Sequence, residues 1–175
     1  MKTAKWLTTE QLGRKFFADK SLDAVRKRMR KLVSAKYLKL LQPNPMHEKL
    51  YALPETATYK NLQHLTLVNW LRIMAEKEQC EFFYAYWEFG DFEWTYPVIP
   101  DAISKINGTI YLLEVDSGTE SLKQLKTKFI NYESFDFAYQ LIVIADELSR
   151  QEKIRSLVDT LISHEVVITD LPRLS

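Results

Sequence analysis

Asn107-Gly108 separates two runs rich in Ile, Val, Leu and Tyr, Val98 to Ile106 and Thr109 to Val115, and it constrains this chain of 175 residues more than any other dipeptide in it. Two-residue loops of this type join antiparallel strands, because both positions accept the positive φ of a type I′ turn. Loop length then sets the register. With Asn107 and Gly108 as the loop, Ile106 faces Thr109, Ile103 faces Leu112 and Asp101 faces Glu114, with Asp116 diagonally across on the same face. Facing residues have Cβ atoms about 5 Å apart, and like charges there are destabilising. The hairpin therefore brings together acids that a sheet would not choose for stability.

Two readings of those acids are open. They point to solvent at the edge of the sheet, as most Asp and Glu do, or they hold a divalent cation. Mg²⁺ is commonly bound by one or two carboxylates plus the phosphate oxygens of a substrate. In the second reading Asp101, Glu114 and Asp116 are the metal ligands.

The composition limits what surrounds this hairpin. With 46% hydrophobic and 13% aromatic residues, the chain has enough apolar surface for one ordinary domain or two small ones. A formal charge of +1 leaves no global field toward nucleic acid, so any such affinity must be local. The single cysteine, Cys80, excludes an intramolecular disulfide framework, and no Cys/His spacing matches a zinc site. A reducing, cytoplasmic protein with no membrane partner is expected. No apolar segment follows Met1-Lys2-Thr3, and no run approaches the ~20 residues of a membrane span.

Residues 1–57 read as one domain and 58–175 as another, with Pro54-Glu55-Thr56 at the boundary. In the first, Thr8-Thr9 precedes a short helix carrying Leu12, Phe16 and Phe17, which breaks near Asp19-Lys20. Ser21 caps a second helix to about Lys36, with Leu22, Val25, Met29, Leu32 and Val33 on one face. Lys27, Arg30, Lys31 and Ser34 fall on the opposite face, and Arg26 and Arg28 flank the stripe. The strand Tyr37 to Leu41, a turn at Gln42 to Pro45 and the strand Leu50 to Leu53 follow.

This order resembles a winged helix-turn-helix, in the segments TTEQLGRKFF, SLDAVRKRMRKLVSAKYL and LYAL. The resemblance implies that the second helix enters the major groove of double-stranded DNA. Ser21, Asp23, Ala24 and Lys27 would then be nearest base edges, with Arg28, Arg30, Lys31 and Ser34 on the same DNA-binding surface. A solvated basic face, or a module for protein binding, is the alternative reading of the same residues. The usual preceding helix has no room before Trp6. The helix expected from about Tyr59 to Glu78, or a second subunit, would supply that layer.

In the second domain the pattern reads as a buried helix from about Thr58 to Lys77, a strand Glu81 to Phe89, the hairpin, a helix to about Tyr132, a strand Tyr139 to Ala145, a helix Ser149 to Ser163 and a strand Val166 to Ile168. His64 lies within the first helix as a packed residue. Ser117 and Glu120 have capping-box spacing ahead of the Tyr132 helix. On that helix Lys128 and Tyr132 are one turn apart, with Lys123 and Lys126 turned away from Lys128.

The order, with Pro100-Asp101 opening one strand and Glu114-Val115-Asp116 on the next, resembles the restriction-endonuclease-like PD-(D/E)xK superfamily. The fold class expected is therefore α+β, a winged helix followed by a restriction-endonuclease-like α/β domain. Asp116 stands where that motif has its lysine, and Lys128 with Tyr132 resembles the Q-x-x-x-Y helix element of RecB-type nucleases. The run PDAISKINGTIYLLEVDSGTESLKQLKTKFINYESF further resembles the plasmid replication-relaxation family, over roughly Leu7 to Val143. That resemblance implies a DNA-binding protein of a plasmid or other mobile element, acting in replication, relaxation or mobilisation beside relaxosome or replication proteins.

Three functions are open. One is a DNA-binding accessory protein with a silent nuclease-like domain. The second is a Mg²⁺- or Mn²⁺-dependent nickase in which Asp101, Glu114, Lys128 and Tyr132 are catalytic, Lys128 assisting the water or leaving group and Tyr132 orienting the phosphate. The third is a homodimeric transcriptional regulator that needs no metal.

Overall fold

Five α-helices and two sheets, counted among the described residues, make this an α+β chain. The computed structural model describes residues 5–41, 49–56, 61–91, 94–145, 147–161 and 165–170. It divides into two units, Met1–Met74 and Ala75–Ser175, each with its own sheet.

The first unit begins with a strand that the local pattern does not announce, β1 (Trp6–Thr8). Then come α1 (Thr9–Phe16), α2 (Leu22–Ser34), β2 (Lys39–Leu41) and β3 (Leu50–Ala52). The sheet order is β1-β3-β2, antiparallel throughout. Thr8 ends β1 and caps α1. Its hydroxyl accepts from Gln11 N at 3.2 Å, while Gln11 Oε1 accepts from Thr8 N at 3.0 Å. This reciprocal box satisfies two orphan donors of the helix start.

The third helix of this unit is α3 (Leu62–Lys77), most of which belongs to it. Gln11 donates to the Thr66 carbonyl at 2.7 Å, and Asn69 donates to the Trp6 carbonyl at 2.5 Å. Leu7, Leu12, Val25, Met29, Leu38 and Tyr51 form the core beneath. Leu22 stays 42% exposed, so the buried stripe of α2 starts at Val25 rather than at the first turn. The helix stops at Ser34 because Lys36 adopts φ +60 and Tyr37 N turns back to the Leu32 carbonyl at 2.9 Å. The turn expected at Gln42 to Pro45 lies outside the described residues.

The second unit contains β4 (Phe82–Ala85), a 3-10 helix (Tyr86–Asp91), β5 (Ala102–Ile106), β6 (Thr109–Asp116), α4 (Leu122–Tyr132), β7 (Gln140–Ala145), α5 (Leu148–Leu161) and β8 (Val166–Thr169). Strands follow one another in the order β4-β5-β6-β7-β8. The first three are antiparallel. β6, β7 and β8 are parallel and are joined by the crossover helices α4 and α5, as parallel pairing requires.

The hairpin has the expected register, with Ile106 opposite Thr109 and Ile103 opposite Leu112. Asn107 at φ +50 and Gly108 at φ +80 form its turn. Leu112, Leu125, Phe129, Tyr132, Leu141 and Ile154 are buried in one core cluster with both helices.

Two expected elements are corrected. The strand read over Glu81 to Phe89 ends at Ala85, where Ala85 N donates to the Glu88 carboxylate at 2.7 Å and folds the aromatic run into the 3-10 helix. The cap of α4 is Ser121, with Gln124 as its partner, in place of Ser117 with Glu120. Asp116 explains the shift. Its carboxylate accepts from Gly118 N at 2.9 Å, with Gly118 at φ +76, which makes residues 117–120 a turn.

Candidate functional site

Asp101 lies one residue before β5, and the pairing of Ala102 with Leu113 sets it opposite Glu114. Its carbonyl accepts from Tyr86 N at 2.9 Å and its Oδ2 from Val115 N at 2.8 Å, so the carboxylate is fixed against the β6 backbone. Burial removes the solvated-edge reading of the acids. Asp101 is 8%, Glu114 4% and Asp116 8% exposed, so none of the three is a solvated edge residue.

Lys128 and Tyr132, four positions apart on α4, come to the same face and both reach Glu114. Lys128 Nζ lies 2.5 Å from Glu114 Oε2, and the Tyr132 hydroxyl donates to Oε1. Tyr132 is fully buried, so in this structure it holds the carboxylate and has no face for a phosphate.

Electrostatics here are strongly coupled. Burial pushes the Glu114 carboxyl well above the usual range, the Asp101 charge adds to this, and Lys128 offsets only part. For Lys128 burial acts against the ammonium, but Glu114 and Asp101 outweigh it and hold the pKa above the ordinary lysine value. Two carboxyls against one ammonium leave a surplus of negative charge that a bound cation would relieve.

Asp116 takes no part in this group. Arg150 of α5 holds it with Nε 2.5 Å from Oδ2 and Nη2 3.3 Å from Oδ1, and the same Nη2 donates to the Glu120 carbonyl at 2.6 Å. The structure thus brings together Asp101, Glu114, Lys128 and Tyr132 and leaves Asp116 in a separate ion pair. Among the described residues no group of three or more His, Cys, Asp or Glu is gathered as a metal ligand set. Arg150 belongs to no motif in the sequence. Its only signal is its place in the first turn of a helix that follows a parallel strand, at the end of the sheet where such folds put their sites.

The basic residues of α2 lie in the other unit. Ser21 is the N-cap, its hydroxyl accepting from Ala24 N at 3.3 Å. Lys27, Arg28, Arg30, Lys31 and Ser34 are all exposed. Arg26 is engaged by Asp23 at 2.7 Å, whereas no acid among the described residues pairs with Lys27, Arg28, Arg30 or Lys31. His64 sits in the first turn of α3, its backbone N–H donating to the Asn61 side chain at 3.1 Å. Among the described residues no helix is long and apolar enough to cross a membrane.

No family model, curated protein or solved structure matches this chain.

Proposed function

We propose that the chain is a DNA-binding protein that cleaves a DNA strand in a metal-dependent reaction, serving the replication, relaxation or mobilisation of a mobile element. The observation that carries the chemistry is Lys128 Nζ at 2.5 Å from Glu114 Oε2. The lysine missing at position 116 is supplied from α4, facing a pair of buried carboxylates. The restriction-endonuclease-like reading is supported by an antiparallel hairpin that continues through α4 into a parallel strand. The winged-helix reading is supported by two helices followed by a hairpin whose second strand pairs with a strand before the first helix. The mobile-element context rests on the resemblance over Leu7 to Val143.

The donor set fits Mg²⁺ or Mn²⁺. Asp101 and Glu114 offer hard carboxylate oxygens on facing positions, and such cations commonly complete their shell with water and phosphate. When bound there, the metal supplies Lewis-acid polarisation and a more acidic water. The chain's own residues do the rest. Asp101 is fixed by Val115 N, Tyr132 fixes Glu114, and Lys128 brings a permanent positive charge to offset charge developing on a phosphate. Lys27, Arg28, Arg30 and Lys31 on α2 provide cations for duplex phosphates.

A second reading is favoured by one observation. Both oxygens of Glu114 are already taken by Lys128 and Tyr132, as they would be in a silent site kept as scaffold. Incubation of the protein with supercoiled plasmid and Mn²⁺ separates the two. Nicked product that disappears in Asp101→Asn and Glu114→Gln supports cleavage. Retained duplex binding without nicking, over a wide range of protein, leaves the accessory reading in its place.

A further inference from the structure

Beside Lys128, α4 borders a cavity of about 500 Å³ lined by Val98, Lys123, Gln124, Thr127, Lys128 and Asn131. Helical periodicity alone turns Lys123 away from Lys128, yet both stand on this wall. The lining is built of an apolar residue, two ammonium groups, two amides and a hydroxyl, with Glu114 in contact behind Lys128. The exposed wall is mostly apolar, as in small-molecule sites, but its polar groups are strung along a helix instead of converging on one point.

Their engagement narrows the chemistry. The Gln124 side chain is used in the cap of α4, and Thr127 donates to the Lys123 carbonyl at 3.2 Å. Lys123 is exposed, with no acid paired to it among the described residues, and no described group is hydrogen-bonded to the Asn131 amide. The positions 123, 127 and 131 are one turn apart and span about 12 Å of helix. At the duplex rise of roughly 3.4 Å per nucleotide, that is at most about three to four nucleotides of one strand.

We propose that this cavity seats the sugar-phosphate backbone of a nucleic-acid strand, with Lys123 and Asn131 on its oxygens, and leads the strand to Lys128. The direction of the path rests on the cleavage reading above; the binding itself does not. Lys123 meets a phosphate as a point charge, and Asn131 can donate to phosphate or sugar oxygens. An exposed track of donors along a strand gives affinity that is tolerant of sequence and sensitive to salt.

The test uses the full chain carrying Lys27→Ala, Arg30→Ala and Lys31→Ala, so that α2 contributes little. Binding of a fluorescent oligothymidylate of about twelve nucleotides is followed by anisotropy, with Ca²⁺ in place of Mg²⁺ or Mn²⁺. Adding Lys123→Glu and Asn131→Asp is expected to weaken binding about tenfold or more and to lower the salt slope by about one. Unchanged affinity and slope overturn the proposal. Circular dichroism checks that the variant folds; should it not, Lys123→Ala alone is read by the same slope, and an unaltered slope is again decisive against the track. Plasmid nicking is scored separately. Strand binding that depends on Lys123 without any nicking sinks the cleavage reading alone, whereas nicking with binding indifferent to Lys123 and Asn131 sinks the track alone.

Discussion

Glu114 carries the electrostatic tension of the second unit, since it is buried, faces Asp101 and is contacted by both Lys128 and Tyr132. Its raised pKa fixes a sign. The folded state binds more protons than the unfolded one between the ordinary Glu value of 4.5 and the higher folded value, so stability falls as pH rises through that window. Lys128 adds no slope there. Its folded pKa lies above 10.5, so its contribution is complete at neutral pH and is lost only in strong alkali. The Glu114→Gln variant cannot titrate. The thermal midpoint of the wild type, measured from pH 5 upward, is therefore expected to fall more steeply than that of Glu114→Gln; parallel curves would mean that Glu114 titrates normally.

At this scale the sequence was readable wherever contacts follow from a period or a register. The Asn-Gly loop gave Asp101 opposite Glu114, and the four-residue spacing put Lys128 and Tyr132 on one face of α4. The pairing of Asp116 with Arg150 joins β6 to α5 and has no such local signature, so the sequence alone leaves Asp116 looking like a third ligand.

Elements differ in the same way. Two capping patterns occur before α4, Ser117 with Glu120 and Ser121 with Gln124, and sequence alone does not rank them. Tertiary contacts do. Arg150 holds Asp116 and the Glu120 carbonyl, which keeps residues 117–120 in a turn and starts the helix later. Ser121→Ala should thus cost about 1 kcal/mol of stability in urea unfolding, as loss of an N-cap commonly does. Ser117→Ala, which removes only a contact with Thr119 at 3.2 Å, should cost less. Equal losses would place the cap back at Ser117. β1 was missed for a related reason, because three residues show no period and Trp6–Thr8 is a strand only through its pairing with Leu50–Ala52. The aromatic run after Glu81 was read as one strand because β propensity says little about where a ladder ends. The Glu88 carboxylate on Ala85 N decides that point.

For the whole molecule, a formal charge of +1 means that long-range attraction to DNA is weak and that the placement of charge matters more than its sum. Lys27, Arg28, Arg30 and Lys31 of α2, with no acid partner among the described residues, lie in the unit that holds none of Asp101, Glu114 and Asp116, so the proposed docking and the proposed cleavage fall to different units. That division makes a separable prediction. Replacing Lys27, Arg30 and Lys31 by Ala removes three of those cations from an exposed face that contributes little to the core, so the fold should be nearly unaffected. Each phosphate contact contributes about 0.9 to the slope of log affinity against log salt on duplex DNA, so the triple variant should lower that slope by up to about three. Affinity should drop most at low salt, where released counterions contribute most. A slope unchanged within error would remove α2 as the duplex surface, and the affinity would then have to come from the second unit, where Lys123 and Lys128 are the cations lining a cavity.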